Sequence, residues 1–287
     1  MHTILRPPAV RAAFFLLIVL LICIAGCSLR DAAVPAAAAP GGEPNGTPPH
    51  AIQNVRYVDS VGTNFLFRGA HPVAERNGTD AVFDVAALKA AIKNASADAG
   101  KELPANYTLV DISLLWPDNP DDNNRERAII RAEDAFFSSR PDTGRLRLWP
   151  MYGTELSPQD PAVAPYREYL ADNLGNWLPD PLVSRVETVR EYLEDPAAEG
   201  VNGPVVVYVH CFGGCDRTGE LIGAYSLQYL NMTWEEARDE NGRHCRPDRA
   251  YDGANCNALQ WYGLWLNRSG GRPLDWDADP PCYRPGA

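Results

Sequence analysis

Read for hydrophobic periodicity, the chain alternates between short apolar runs and longer segments in which apolar residues recur every three or four positions. Runs at 107–113, 145–151 and 205–209 predict strands. Val82, Val85, Leu88 and Ile92 mark one face of a helix over 82–92, residues 125–137 read as a second helix, and an amphipathic stretch after Pro181 runs through Leu193. Leu221, Ile222, Ala224, Tyr225, Leu227 and Leu230 describe a helix packed nearly all round. A capped helix follows Thr233, with Glu236 three positions on, and an aromatic-rich helix covers 257–266. Strands alternating with helices predict an α/β fold: a mostly parallel central sheet flanked by helices, with the site at the strands' carboxyl ends.

The periodicity stops at both ends. Arg6 and Arg11 precede an apolar core over 12–26, shorter than the ~20 residues of a bilayer span. Residues 1–29 therefore read as a signal peptide, a lipoprotein signal or a signal anchor. Residues 30–53 are rich in Pro, Ala and Gly, cannot build a core and read as a disordered linker. That leaves a single folded domain at 54–268, with no internal repeat, and a Pro- and Gly-rich tail at 269–287. The domain is expected outside the cytoplasm, touching a membrane through the N-terminal segment alone.

The candidate chemistry lies directly after the 205–209 strand, in His210-Cys211-Phe212-Gly213-Gly214-Cys215-Asp216-Arg217-Thr218-Gly219. A loop between a strand's end and a helix's start suits an anion, because the first helical N–H groups lack intrahelical partners and the macrodipole adds positive charge. Gly213 and Gly214 let the backbone of residues 212–216 curl around a phosphate, and Arg217 can close the ring with two parallel bonds. The same field favours the thiolate of Cys211. Thr218 can donate its hydroxyl to that sulfur as it departs, and His210 can brace the loop through the backbone. His-Cys-x5-Arg followed by Ser or Thr arises by chance in about one such sequence in a thousand.

This pattern resembles the signature of the cysteine-dependent protein tyrosine and dual-specificity phosphatases. Asn64 to Pro72 resembles the opening strand and turn of their atypical dual-specificity members, and the resemblance covers roughly residues 64–230. It implies a three-layer phosphatase fold and hydrolysis of phosphomonoesters through a phosphocysteine on Cys211. It implies no cofactor and no metal, since Arg217 and the loop amides neutralise the phosphoryl oxygens. Expelling an alkoxide also calls for a positioned acid, worth ~10² to 10⁴ in rate. Trp116-Pro117-Asp118 spells the family's acid motif but lies 93 residues ahead of Cys211, whereas Asp180 lies 31 ahead, with one helix between, as the family has it. Asp180 is the expected acid.

Composition narrows the partners. A net charge of −11 argues against nucleic acid and against anionic membranes as partners. Six Asn-x-Ser/Thr sequons, at Asn45, Asn77, Asn94, Asn106, Asn231 and Asn267, exceed the roughly one expected by chance and point to a secretory glycoprotein. Ile24-Ala25-Gly26-Cys27 instead resembles a bacterial lipobox, and both readings stay open. Cys215 is read either as a redox partner of Cys211 or as a buried thiol, while one pair among Cys245, Cys256 and Cys282 is read as bridged. Their spacing with His244 fits no zinc template. The loop holds no lysine to meet a polyphosphorylated head group, though Arg68, Arg125 or Arg127 could compensate. Phosphotyrosine peptides or small phosphomonoesters are expected substrates, with a phosphoinositide or inositol phosphate phosphatase, or a non-catalytic phosphate-binding module, as alternatives.

Overall fold

The computed structural model describes residues 51–76, 80–120, 124–247, 249–251, 253–270, 272–277 and 282. The targeting segment with Cys27, most of the linker, and the sequons at Asn45 and Asn77 lie outside the described residues.

In chain order the elements are β1 (Arg56–Val61), β2 (Asn64–Ala70), β3 (Val73–Arg76), β4 (Asp80–Phe83), α1 (Val85–Asp98), β5 (Thr108–Ser113) and α2 (Arg125–Ser139). They continue with β6 (Gly144–Leu148), α3 (Arg167–Asp172), α4 (Leu182–Glu194), β7 (Val205–Cys211), α5 (Asp216–Tyr229), α6 (Trp234–Arg243) and α7 (Gly253–Ser269). The main sheet runs β1-β2-β7-β5-β6, parallel throughout except for the β1 edge, and β3 pairs with β4 in a separate ribbon.

The unbroken apolar run of β7 follows from its central place. Val205, Val207, Val209 and Cys211 face a core built with α4, α5 and α7, while Val206 and Tyr208 face a second core built with α1 and α2. A strand covered on both faces has no side to spare for polar residues. Buried His210 is the exception, and it continues the α2 side of the alternation.

Several boundaries differ from the sequence reading for identifiable reasons. The first helix begins at Val85, not Val82, because the Asp84 carboxylate accepts the Ala87 N–H at 2.9 Å as an N-cap, leaving Val82 to β4. β6 ends at Leu148, two residues before Pro150, which has no N–H to give. The expected cap at Thr233 forms a full capping box with Glu236. Just ahead of Asn54, the Gln53 carbonyl accepts the Ala70 N–H at 3.0 Å. In the tail Leu274 is buried and Arg272 donates to the Leu227 and Met232 carbonyls, so this stretch packs against the domain.

Candidate active site

β7 delivers Cys211 to the sheet's carboxyl edge, opposite Ala70 of β2, and α5 starts five residues later. Between them, three successive carbonyls are tied outward. Phe212 O accepts from the His71 N–H at 3.3 Å, Gly213 O from Asn54 Nδ2 at 3.0 Å, and Gly214 O from an Arg68 terminal nitrogen at 3.0 Å. In a trans peptide the carbonyl of one residue and the N–H of the next point opposite ways. The N–H groups of Gly213, Gly214 and Cys215 are therefore turned into the curl of the loop, the arrangement an anion needs. Gly214 is required there: its φ is +77°, and a Cβ would come within 2.6 Å of the Gly69 backbone.

Arg217, in the first turn of α5, is held by Glu126 of α2. Its two terminal nitrogens donate to the two carboxylate oxygens at 2.6 and 2.5 Å, a fork-to-fork pair with side chains 17% and 3% exposed. The Trp116 N–H and the Asn119 side chain donate to the same carboxylate at 2.7 and 3.1 Å. Burial pushes the Glu126 carboxyl up, but these donors outweigh it and hold it below its ordinary value. Burial likewise works against the charge of Arg217, and the pull of Glu126 and Cys211 overcomes it. Glu126 was missed in the sequence, where it reads as one more acid opening an exposed helix turn. Its burial is a tertiary fact.

Behind the loop, His210 Nδ1 lies 3.3 Å from its neighbour's carbonyl at Cys211, the expected backbone brace. Its Nε2 lies 3.3 Å from Asp111 of β5 and 3.4 Å from Glu133 of α2, all three fully buried. Burial disfavours the imidazolium, yet the two carboxylates reverse the sign and raise the proton affinity of His210; burial raises that of Glu133. Thr218 is buried, and its hydroxyl has no hydrogen-bond partner among the described residues, which leaves it able to meet a sulfur or phosphoryl oxygen. The ring of Phe212 lies 5.0 Å from the His71 ring, centroid to centroid, and its centroid lies 4.7 Å from the Arg125 guanidinium carbon. Asp216 forms a two-pronged pair with Arg249 at 2.7 and 2.9 Å.

The cavity at Arg217 is lined by Trp116, Asn119, Tyr152, Arg249 and Asn255 among others. A larger groove along α6 is lined by Glu235, Glu236, Asp239 and Glu240 and repels phosphate. Asp180 lies behind the wall of the first cavity. Its carboxylate accepts the Tyr152 and Gly153 N–H groups at 2.6 and 2.9 Å and meets Arg185 at 3.2 Å, with the side chain 13% exposed. Burial nonetheless raises its proton affinity. Asp118 belongs to the turn that lines the cavity, but its side chain is 77% exposed and paired with Arg127 at 2.7 Å.

The cysteine pairing corrects the sequence reading of Cys215 and bears out one bridged pair among Cys245, Cys256 and Cys282. Cys215 is bridged to Cys245, and Cys256 to Cys282, so Cys215 is neither a free thiol nor the partner of Cys211. Among the described residues Cys211 is the free cysteine, and it is buried. The bridge joins the loop after β7 to the end of α6, whose Asn241 also donates to Gly219 O and accepts from Arg68. Arg68, expected as an outward basic group, is 2% exposed.

No family model and no curated protein matches the chain. Among solved structures it is similar to kinase associated phosphatase at 12% identity, over 78% of this chain and 99% of that one, with a TM-score of 0.41. A protein tyrosine phosphatase from Leishmania major matches at 14% identity over 73% and 97%, with a TM-score of 0.36. The core catalytic domain of the PP-IP phosphatase Siw14 from S. cerevisiae matches at 15% identity over 79% and 100%, with a TM-score of 0.34. At such distances the weight of a functional reading falls on the loop geometry.

Proposed function

We propose that this chain hydrolyses phosphomonoesters in two steps, with Cys211 attacking phosphorus and water then releasing phosphate from the phosphocysteine. The observation that carries the reading is the loop itself: a free cysteine at a strand end, carbonyls tied outward on the following residues, and an arginine held at the helix start by a buried carboxylate. In the first step the Cys211 sulfur bonds to phosphorus as the ester oxygen leaves. In the second a water oxygen displaces the sulfur and one water proton is released. The loop amides and Arg217 stabilise the equatorial oxygens throughout, with Thr218 placed to stabilise the departing sulfur.

Asp180 and Asp118 are committed to other partners, so esters with good leaving groups, such as aryl phosphates, are the favoured substrates. Phosphotyrosine peptides and small aryl phosphates are proposed over polyphosphorylated inositides. Net charge is −11, Arg68 is buried, and Arg127 and Arg249 are already paired with Asp118 and Asp216. A location outside the cytoplasm is the companion proposal. It is supported by the apolar N-terminal segment and by two disulfides that leave the nucleophile reduced. Among the described residues no helix is long and apolar enough to cross a membrane.

The test is Cys211→Ser, which removes turnover of nitrophenyl phosphate while leaving phosphate binding, together with acid-quench trapping of phosphocysteine in the wild type. Phosphate affinity without a trapped intermediate would make the chain a phosphate-binding module instead. A phosphate-release panel that favours an inositide more than tenfold would reverse the substrate assignment.

A further inference from the structure

Arg68 of β2 lies beneath the phosphate loop, 2% exposed, with one terminal nitrogen on Gly214 O at 3.0 Å and the other on Asn241 Oδ1 at 2.6 Å. Both acceptors are neutral, and no carboxylate lies within ion-pair distance of it among the described residues. A buried guanidinium without an anion is a costly arrangement unless something supplies one.

The groups that face it narrow the choice. Tyr251 is buried and held neutral, since burial raises its proton affinity. Glu240 and His244, from α6 and its end, face Arg68 too. Glu240 is already bound by His244 and Arg243, and burial disfavours the charged form of His244. Cys211 lies on the adjacent strand at the position paired with Ala70, and so on the same face of the sheet as Arg68 two residues before.

We infer that Arg68 is a positioning residue of the reaction: its buried charge is the counter-ion of whatever anion the loop holds, first the Cys211 thiolate and then the phosphoryl group. Arg217 approaches that anion from the cavity side, where Glu126 offsets its charge. Arg68 approaches from the β2 side with its charge unspent. Fixing the Gly214 carbonyl is its second contribution, because the same hydrogen bond turns the Cys215 N–H into the loop.

This inference rests on the phosphatase reading, so its test measures the thiolate of Cys211 rather than turnover. The full chain is alkylated with iodoacetamide across a pH series, and modification at Cys211 is followed by peptide mass spectrometry. Arg68→Met should lower the alkylation rate near pH 6 about tenfold by moving the midpoint up about one pH unit. Arg68→Lys, which keeps the charge but not the fork, should hold the midpoint near that of the wild type. Equal shifts in both variants, or a shift in neither, overturn the inference. Should Arg68→Met fail to fold, Asn241→Asp sets a carboxylate against Arg68, and an unmoved midpoint in that variant is equally fatal. Loss of activity in Cys211→Ser is a separate matter: if it does not occur, the phosphatase reading fails whatever Arg68 does.

Discussion

Two turns in this chain are spelled almost alike, and the fold uses them differently. Trp116-Pro117-Asp118 follows β5, and Trp116 lines the same cavity as Asp216 and Arg217. The Trp116 N–H is given to Glu126, its ring packs edge-on against Tyr152 at 4.8 Å, and the Asp118 side chain points out to Arg127. Trp177-Leu178-Pro179-Asp180 precedes α4, with Trp177 packed on Trp261 at 5.3 Å, Leu178 85% exposed and the Asp180 carboxylate turned inward onto two backbone amides. In the first turn a backbone N–H meets the carboxylate that holds Arg217 and the acid faces outward; in the second the acid accepts two backbone N–H groups. A Trp-Pro-Asp spelling sets a turn and a carboxylate, but the partners each atom finds decide the role.

The sharpest way to break this comparison is at the carboxylate the first turn supports. Glu126→Ala strips Arg217 of its fork partner, and breaking a pair this buried costs on the order of 3 kcal/mol. If that is felt at the phosphoryl group, kcat falls about a hundredfold. Activity within threefold of wild type would mean that Arg217 positions itself unaided. The pH dependence carries the same information. Folding holds the Glu126 carboxyl below its ordinary value, so its contribution is full above the ordinary carboxylate range and is lost as pH falls through the folded value. Denaturant titrations at acid pH should accordingly show a shallower loss of stability in Glu126→Gln than in the wild type.

Next in size is Asp180→Ala, which leaves the Tyr152 and Gly153 amides and Arg185 short of an acceptor. A loss of about 1 to 3 kcal/mol is expected, or several degrees in Tm. With nitrophenyl phosphate, kcat should fall less than tenfold, and alkyl and aryl esters should be affected alike. A deficit that grows steeply as the leaving group worsens would instead make Asp180 the general acid, the residue the sequence points to. Smallest is Asp118→Ala. It removes an exposed ion pair worth under about 1 kcal/mol, and rates should stay within twofold for every ester. A leaving-group effect confined to this variant would move the acid to the first turn.

How much of this was legible in advance divides along physical lines. The buried strand before the loop, the glycines within it, and the order Cys211 to Arg217 are properties of neighbouring residues, and they sufficed to locate the candidate nucleophile, the anion cradle and the α/β alternation. Local chemistry also placed the capping box at Thr233. Everything that depends on a distant partner came from the tertiary structure. Glu126 lies 91 residues from Arg217 and Arg68 lies 146 from Gly214, and neither carries a spacing signal that a linear reading could find. The pairing of Cys215 with Cys245 was not among the readings of the sequence, and it follows only once α6 is packed beside the loop. Asp180 makes the same point from the other side: its spacing from Cys211 fits an acid, while the two amides of 152–153 that its carboxylate accepts are a tertiary fact. Side-chain identity and local backbone preference are written in the sequence, whereas burial and the partner that reaches a charge first are properties of the packed chain.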